Sequence, residues 1–230
     1  MPPSSTSPPR SRAARLAPAT YLRLLAAYPD ASCELVHHGP FDLLVAVVLS
    51  AQTTDAAVNK VMPALLARYP DARSLAAAEP ADVEPLLRTI GMYRQKAKNL
   101  VGLARRLVSN FDGDVPRSAE ELLSLPGVGR KTANVVLGNA FNIALGIAVD
   151  THVQRVAQRL GWSRHSEPPE IERDLMALLP REDWIMSSHV LIFHGRRTCS
   201  ARAPACDACA VSDACPCAFD AESVGRKKSR

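Results

Sequence analysis

Residues 118–161 read SAEELLSLPGVGRKTANVVLGNAFNIALGIAVDTHVQRVAQRLG, and the rest of the chain is best understood from this stretch outward. Its periodicity predicts helix, tight glycine-rich turn, helix, apolar connector, helix. Ser118 and Glu121 have the spacing of a capping box, so the first helix opens there. Leu122, Leu123 and Leu125 give that helix an apolar side, and Pro126 ends it. Gly127-Val128-Gly129 turns the chain, with the two glycines read as supplying positive φ. A second helix starts near Arg130. A helix that begins in such a turn leaves unpaired N–H groups at the positive end of its dipole, which suits an anion and most naturally a phosphate.

LPGVGRKTA (125–133) is the hairpin sequence of helix-hairpin-helix DNA-binding elements, many of which only grip the backbone. Alone it speaks for DNA and says little about catalysis. Lys131, in the first turn of the second helix, and Asp150, nineteen residues on at the end of IALGIAV, add chemistry. LPGVGRKTANVV followed by VDTHVQRVAQRLG closely resembles the endonuclease III family, the bifunctional glycosylase/lyases of base-excision repair. On that resemblance Lys131 matches the family's nucleophile and Asp150 its catalytic carboxylate. A primary amine that attacks the anomeric carbon of a damaged nucleotide expels the base and leaves an imine with the opened sugar. The imine acidifies the neighbouring carbon, and the 3′ phosphate can leave by elimination. The attacking amine must be uncharged: the helix N-terminus and Arg130 oppose an ammonium there, while DNA phosphates favour one. A carboxylate such as Asp150 stabilises cationic character on the sugar and helps to move protons. The plainer alternatives are a phosphate contact for Lys131 and the N-cap of THVQRVAQRLG for Asp150, a role Asp suits in any case.

At 230 residues the chain has room for one compact domain or two small ones. Hydrophobic content of 47% with only 5% aromatics suits an Ala/Leu/Val-rich helical core. No segment has the unbroken apolar length of a membrane span, and the Pro/Ser/Arg-rich start is not a secretory signal, which predicts an intracellular, cytoplasmic and nucleoid-associated protein without membrane. The net charge of +5 is unevenly placed. Arg10, Arg12 and Arg15 lie near the start and Arg226, Lys227, Lys228 and Arg230 at the end, with no acid among either group. The remaining 21 of the 28 basic residues face 23 acids, so a DNA-binding face on the body must be a local patch. The tails read either as sources of salt-sensitive affinity or as plain disorder.

Taken in order, YLRLLAAYPD from Thr20 has helical spacing. PFDLLVAVVLSAQTTDAAVNKVMPALLARYP reads as two helices broken near Ser50–Thr54, the first apolar nearly all round and therefore buried. LSAQTTD recurs in the resembled family, where its Gln fills the gap left by a flipped nucleotide; Gln52 is the match, and is otherwise a polar loop residue. SLAAAEPADVEPLLRTIG reads as two short helices with Gly91 as the stop. The next helix, YRQKAKNLVGLARRLVSNF, lies in a stretch from Arg88 to Phe111 with six bases and no acid, some of them phosphate contacts. IGMYRQKA resembles the family loop that drives an apolar wedge into the duplex; Met92 stands where Leu is usual, and its bland reading is a buried Met. His152 matches a family position near the extruded nucleotide, or is an ordinary first-turn His. Glu167, Glu170, Glu172 and Asp174 read as an acidic back surface.

Four of six cysteines form Cys199-x6-Cys206-x2-Cys209-x5-Cys215. Such concentration in an intracellular chain argues against disulfides and suits a four-cysteine zinc site or a [4Fe–4S] cluster. The spacing, preceded by HGRRTC, resembles the family's cluster loop, which makes [4Fe–4S] the favoured cofactor. Within that loop only Arg202 remains to meet phosphate, with Arg196 and Arg197 just before it. Cys217 is a spare thiol, and Cys33 a small core residue.

The resemblance spans Thr20 to Cys215 and implies an all-α fold of two helical lobes with the active-site cleft between them. A six-helix barrel (33–144) carries the helix-hairpin-helix with Gly127, Gly129 and Arg130 as DNA contacts. Segments 18–32 and 145–218 form a discontinuous iron–sulfur lobe, and residues 1–17 and 219–230 are basic tails, the first disordered. The implied activity is a DNA glycosylase/AP lyase acting on oxidised pyrimidines in damaged double-stranded DNA, as a monomer. The alternatives are a monofunctional mismatch glycosylase and a non-catalytic module that binds abasic DNA.

Overall fold

The computed structural model describes residues 12–225, which are helical with no strand. The helices are α1 (Arg12–Ala27), α2 (Pro40–Leu49), α3 (Asp55–Arg68), α4 (Ala72–Ala76), α5 (Pro80–Leu87), α6 (Tyr93–Phe111), α7 (Ala119–Leu123), α8 (Arg130–Phe141), α9 (Thr151–Arg159), α10 (Pro168–Leu178) and α11 (Trp184–Arg197). Arg10, Arg226, Lys227, Lys228 and Arg230, read above as tail charges, lie outside the described residues. The chain divides into two compact units: Cys33–Leu145, and the residues up to Ser32 together with those from Gly146. No described helix is long and apolar enough to cross a membrane.

In the Cys33–Leu145 unit, α2 is apolar on every side and every residue from Leu43 to Leu49 is buried. It is the centre against which α3, α6 and α8 pack. Helix α6 buries Ala97, Leu100, Leu103, Ala104 and Leu107 and packs on α4 and α5 as well. Thr54 caps α3 by accepting the Ala57 N–H at 3.3 Å, a contact worth about 1 kcal/mol.

The hairpin of α7 and α8 follows the sequence reading with two differences. Ser118 accepts the Glu121 N–H, but its own hydroxyl donates to Glu121 Oε2 at 2.7 Å, so Glu121 does not reach back to the backbone as a full capping box requires. Gly127 does hold a positive φ, +80°, and a Cβ there would lie 3.0 Å from Asn99 Nδ2 and 3.2 Å from Val48 Cγ1. Gly129 does not: its φ is −108°, which any residue can adopt, and a Cβ there would meet nothing within 4 Å. The chain itself therefore gives no packing reason for glycine at 129. Asn142, at φ 54°, ends α8 in the left-handed conformation, donating back to the last turn.

The second unit contains α1 and α9 to α11, with a core that includes Tyr21, Leu24, Val153, Val156, Ile171, Leu175 and Leu191. Both tail boundaries need correction. Residues 12–17 are helical rather than disordered, because Ala17 is fully buried in this core. Beyond residue 219, Ala221 is buried and the Val224 carbonyl accepts Arg159 Nε at 3.0 Å. The acidic back surface is also smaller than expected: Glu172 is buried, and Asp174 accepts the Ser163 hydroxyl at 2.6 Å.

Candidate active site

Within the Cys33–Leu145 unit the hairpin presents its chemistry outward. Arg130 and Lys131 are exposed in the first turn of α8. Gly129 is the N-cap residue, and no side chain caps the helix. An uncapped helix start with open space in front of its glycine can accept the close approach of an outside anion.

Two loop residues of the same unit have strained backbones. Gln52, exposed between α2 and α3, has φ 53°, and Met92, 49% exposed at the start of α6, has φ 56°. The expected stop at Gly91 is thus displaced: α5 ends at Leu87 and the left-handed residue is Met92. Nor is Met92 a buried core residue. Left-handed backbone costs a non-glycine residue about 1–2 kcal/mol, so the surrounding structure must hold both conformations.

The six bases of the Arg88–Phe111 stretch separate by role. Arg105 donates to the Ala76 and Ala78 carbonyls and pairs with Glu79 at 3.0 Å. Arg94 lies 3.8 Å from Glu84 and over the Tyr93 ring. Lys96 is only 3% exposed, donates to Thr53 Oγ1 at 2.6 Å, and has its pKa lowered by burial. Arg88, Lys98 and Arg106 are left exposed on the surface.

In the other unit Asp150 caps α9. Its Oδ1 accepts the His152 and Val153 amides, both at 2.8 Å, so the cap engages one carboxylate oxygen and does not require Oδ2. His152, in the first turn, has Nδ1 3.2 Å from the Arg155 guanidinium. Arg155 also donates to the carbonyls of Gly195 and Cys199. One turn later Arg159, fully buried, donates to the carbonyls of Ser200, Ala201 and Val224 and to Cys199 Sγ at 3.3 Å. Helix α9 therefore carries the carboxylate at its start and buried cations farther along. Sequence reading missed both arginines, although their i, i+4 spacing amid Val153, Val156 and Leu160 was a signal. Of the bases near the cysteines, Arg202 and Arg196 are exposed, while Arg197 is committed to Asp30 at 2.8 Å and to the Phe193 ring.

None of the six cysteines is in a disulfide. Cys199, Cys206, Cys209 and Cys215 line one cavity with Arg159, His194 and Thr198, and Cys217 is not part of that lining. Burial pushes the Cys215 thiol up to about 11, so a thiolate there requires a compensating positive group. Burial also brings His194 down to about 4, leaving it neutral, with Nδ1 bonded to the Tyr28 hydroxyl at 2.9 Å and Nε2 3.9 Å from Cys209 Sγ. Among the described residues no three His, Cys, Asp or Glu side chains are grouped to hold a single metal ion. Four sulfurs spread round one cavity fit a larger, multi-atom group.

A model of the HhH-GPD superfamily of base excision DNA repair proteins matches residues 45–181, which include Gln52, Met92, the hairpin and Asp150. An endonuclease III of Synechocystis sp. is 53% identical over 191 residues, covering 83% of this chain and 87% of its own. The chain belongs to the endonuclease III family. A second endonuclease III, from Bacillus subtilis, is 47% identical over 189 residues, 82% of this chain and 86% of its own. A solved structure of a trapped endonuclease III–DNA covalent intermediate shares 46% identity with a TM-score of 0.82, covering 86% of this chain and 93% of that one. The four cavity-lining cysteines of this chain lie beyond the part matched by the superfamily model.

Proposed function

We propose that this protein is a bifunctional DNA glycosylase/AP lyase that removes oxidised pyrimidines from double-stranded DNA, with Lys131 as nucleophile and Asp150 as its carboxylate partner. The observation that carries this reading is an exposed lysine in the first turn of an uncapped helix, directly after a glycine that no internal packing demands. Gly127, Gly129 and Arg130 hold a backbone phosphate at that helix start. Met92 enters the duplex and Gln52 fills the vacated space, while His152 and Arg202 contact the strand near the extruded nucleotide. The Lys131 amine forms a bond to C1′ as the C1′–N bond to the base breaks, and the base leaves with a proton. The amine loses a proton and the sugar ring opens to give the imine. Removal of a C2′ proton then expels the 3′ phosphate, and water releases the unsaturated aldehyde from the lysine. Asp150, through the oxygen the cap does not require, stabilises the cationic sugar and relays protons. The protein works as a monomer in the cytoplasm, on nucleoid DNA.

The four cavity cysteines hold a [4Fe–4S] cluster, which when bound supplies iron–thiolate bonds that pin the loop from Cys199 to Cys215. A cluster with four thiolates carries net negative charge, which the buried Arg159 guanidinium, 3.3 Å from Cys199 Sγ, would offset. Arg159→Leu is expected to lower iron and sulfide bound per chain. It also leaves buried carbonyls without a donor, at about 1–3 kcal/mol each. Unchanged iron and sulfide content, with unchanged stability, would count against this role for Arg159.

The activity is tested by borohydride trapping on two duplexes, one with an abasic site and one with thymine glycol. The wild type is expected to form a covalent adduct on both. An adduct on the abasic duplex alone would make the protein a lyase with another base preference. Tight binding without an adduct on either would leave a monofunctional glycosylase or a binding module.

A further inference from the structure

One buried cation has no place in the chemistry above. Lys96 is 3% exposed, yet it sits four residues after Met92 at the surface end of α6. Its ammonium donates to Thr53 Oγ1 at 2.6 Å, and the Thr53 hydroxyl in turn lies 3.5 Å from the Ala51 carbonyl. These contacts fall on the residues immediately before and after Gln52. The same lysine lies at the start of α6, where its backbone N–H makes the helix's own first i→i−4 bond, to the Met92 carbonyl at 3.0 Å. Lys96 thus ties the Gln52 loop, through its side chain, to the start of α6, the helix that Met92 opens on left-handed backbone.

Burying an ammonium on a neutral hydroxyl is costly, and burial accordingly lowers its pKa. A methionine or leucine would fill the same space on the apolar stripe of α6 more cheaply, since Lys96 lies in helical register with Leu100, Leu103 and Leu107. The charge therefore serves something other than packing. The unfavourable φ values of Gln52 and Met92 require restraint from their surroundings, and the Lys96–Thr53 bond joins the Gln52 loop to the helix that starts at Met92.

We infer that Lys96 is a positioning residue that locks the Gln52 loop to the Met92 loop, so that filler and wedge enter the duplex as one preset unit. This rests on the DNA roles proposed above for Gln52 and Met92. Without the Lys96–Thr53 bond each loop would find its place separately, and opening of a paired lesion would slow while the reacting groups stayed intact.

The test places 2-aminopurine opposite a tetrahydrofuran abasic analogue and reads its fluorescence at saturating protein, alongside single-turnover excision from a thymine glycol duplex. Lys96→Met and Thr53→Val are each expected to cut the fluorescence change at least about twofold and excision about tenfold, with affinity within about threefold. Thr53→Ser, which keeps the acceptor oxygen, is expected to restore both. A purely structural role would shift melting temperature but leave the saturated fluorescence amplitude unchanged. Thr53→Val with wild-type amplitude and wild-type excision would overturn the inference, even if Lys96→Met fails to fold. A wild type that gives no borohydride adduct would instead sink the lyase reading, while the fluorescence amplitude still judges the Lys96 lock.

Discussion

Lys131→Gln is expected to bind abasic DNA and do nothing covalent to it. Glutamine keeps most of the length and a hydrogen-bond donor, so contact with the strand survives in part, with affinity lower by no more than about tenfold. It has no basic nitrogen, so neither the imine nor the elimination that depends on it can form. Single-turnover lyase rates on an abasic duplex are expected to fall at least about a thousandfold, the scale on which covalent enzymes lose a nucleophile. The replacement is on an exposed residue, so the melting temperature should hardly move. A variant that keeps half the wild-type trapping yield would show that another amine does the work. Lys96 is the other lysine to consider, being the one whose pKa burial lowers, but at 3% exposure and bonded to Thr53 it is poorly placed to attack.

Asp150→Asn separates two roles that the structure gives to one side chain. Asn caps a helix about as well as Asp, and the Oδ1 contacts to the His152 and Val153 amides need only a carbonyl oxygen. Stability in urea is therefore expected to change by less than about 1 kcal/mol. Catalysis should not survive so well, because a neutral amide neither balances a cationic sugar nor accepts a proton; base excision is expected to fall about 10²- to 10⁴-fold. Asp150→Leu, which removes the cap as well, should lose both. If Asp150→Asn kept wild-type excision, the carboxylate would be a cap and nothing more.

Much of this was legible in the chain. The uniformly apolar α2, the amphipathic α6 and the hairpin around Gly127 follow from periodicity and glycine placement, because burial and positive φ leave few alternatives to those residue types. The four cysteines were legible from their spacing, and they do line one cavity. What could not be read locally was set by tertiary contacts. Left-handed backbone fell on Met92 instead of the adjacent Gly91, at the residue whose carbonyl accepts the first intrahelical bond of α6. Gly129 proved to need no positive φ, which moved its explanation from the turn to what lies in front of it. Helix α1 includes residues 12–17, and Ala17 is covered by partners distant in sequence. Lys96 and Arg159 were hidden among ordinary surface charges, though each stands on an apolar stripe, and that position was the available clue.

The most direct measurement is the site of the covalent bond. The borohydride-reduced adduct with an abasic duplex should be digested with nuclease and protease, and the modified peptide sequenced by mass spectrometry. The expected result is a single sugar remnant on Lys131. A remnant on Lys96 or on the N-terminal amine, with Lys131 unmodified, would contradict the assignment of Lys131 as the nucleophile.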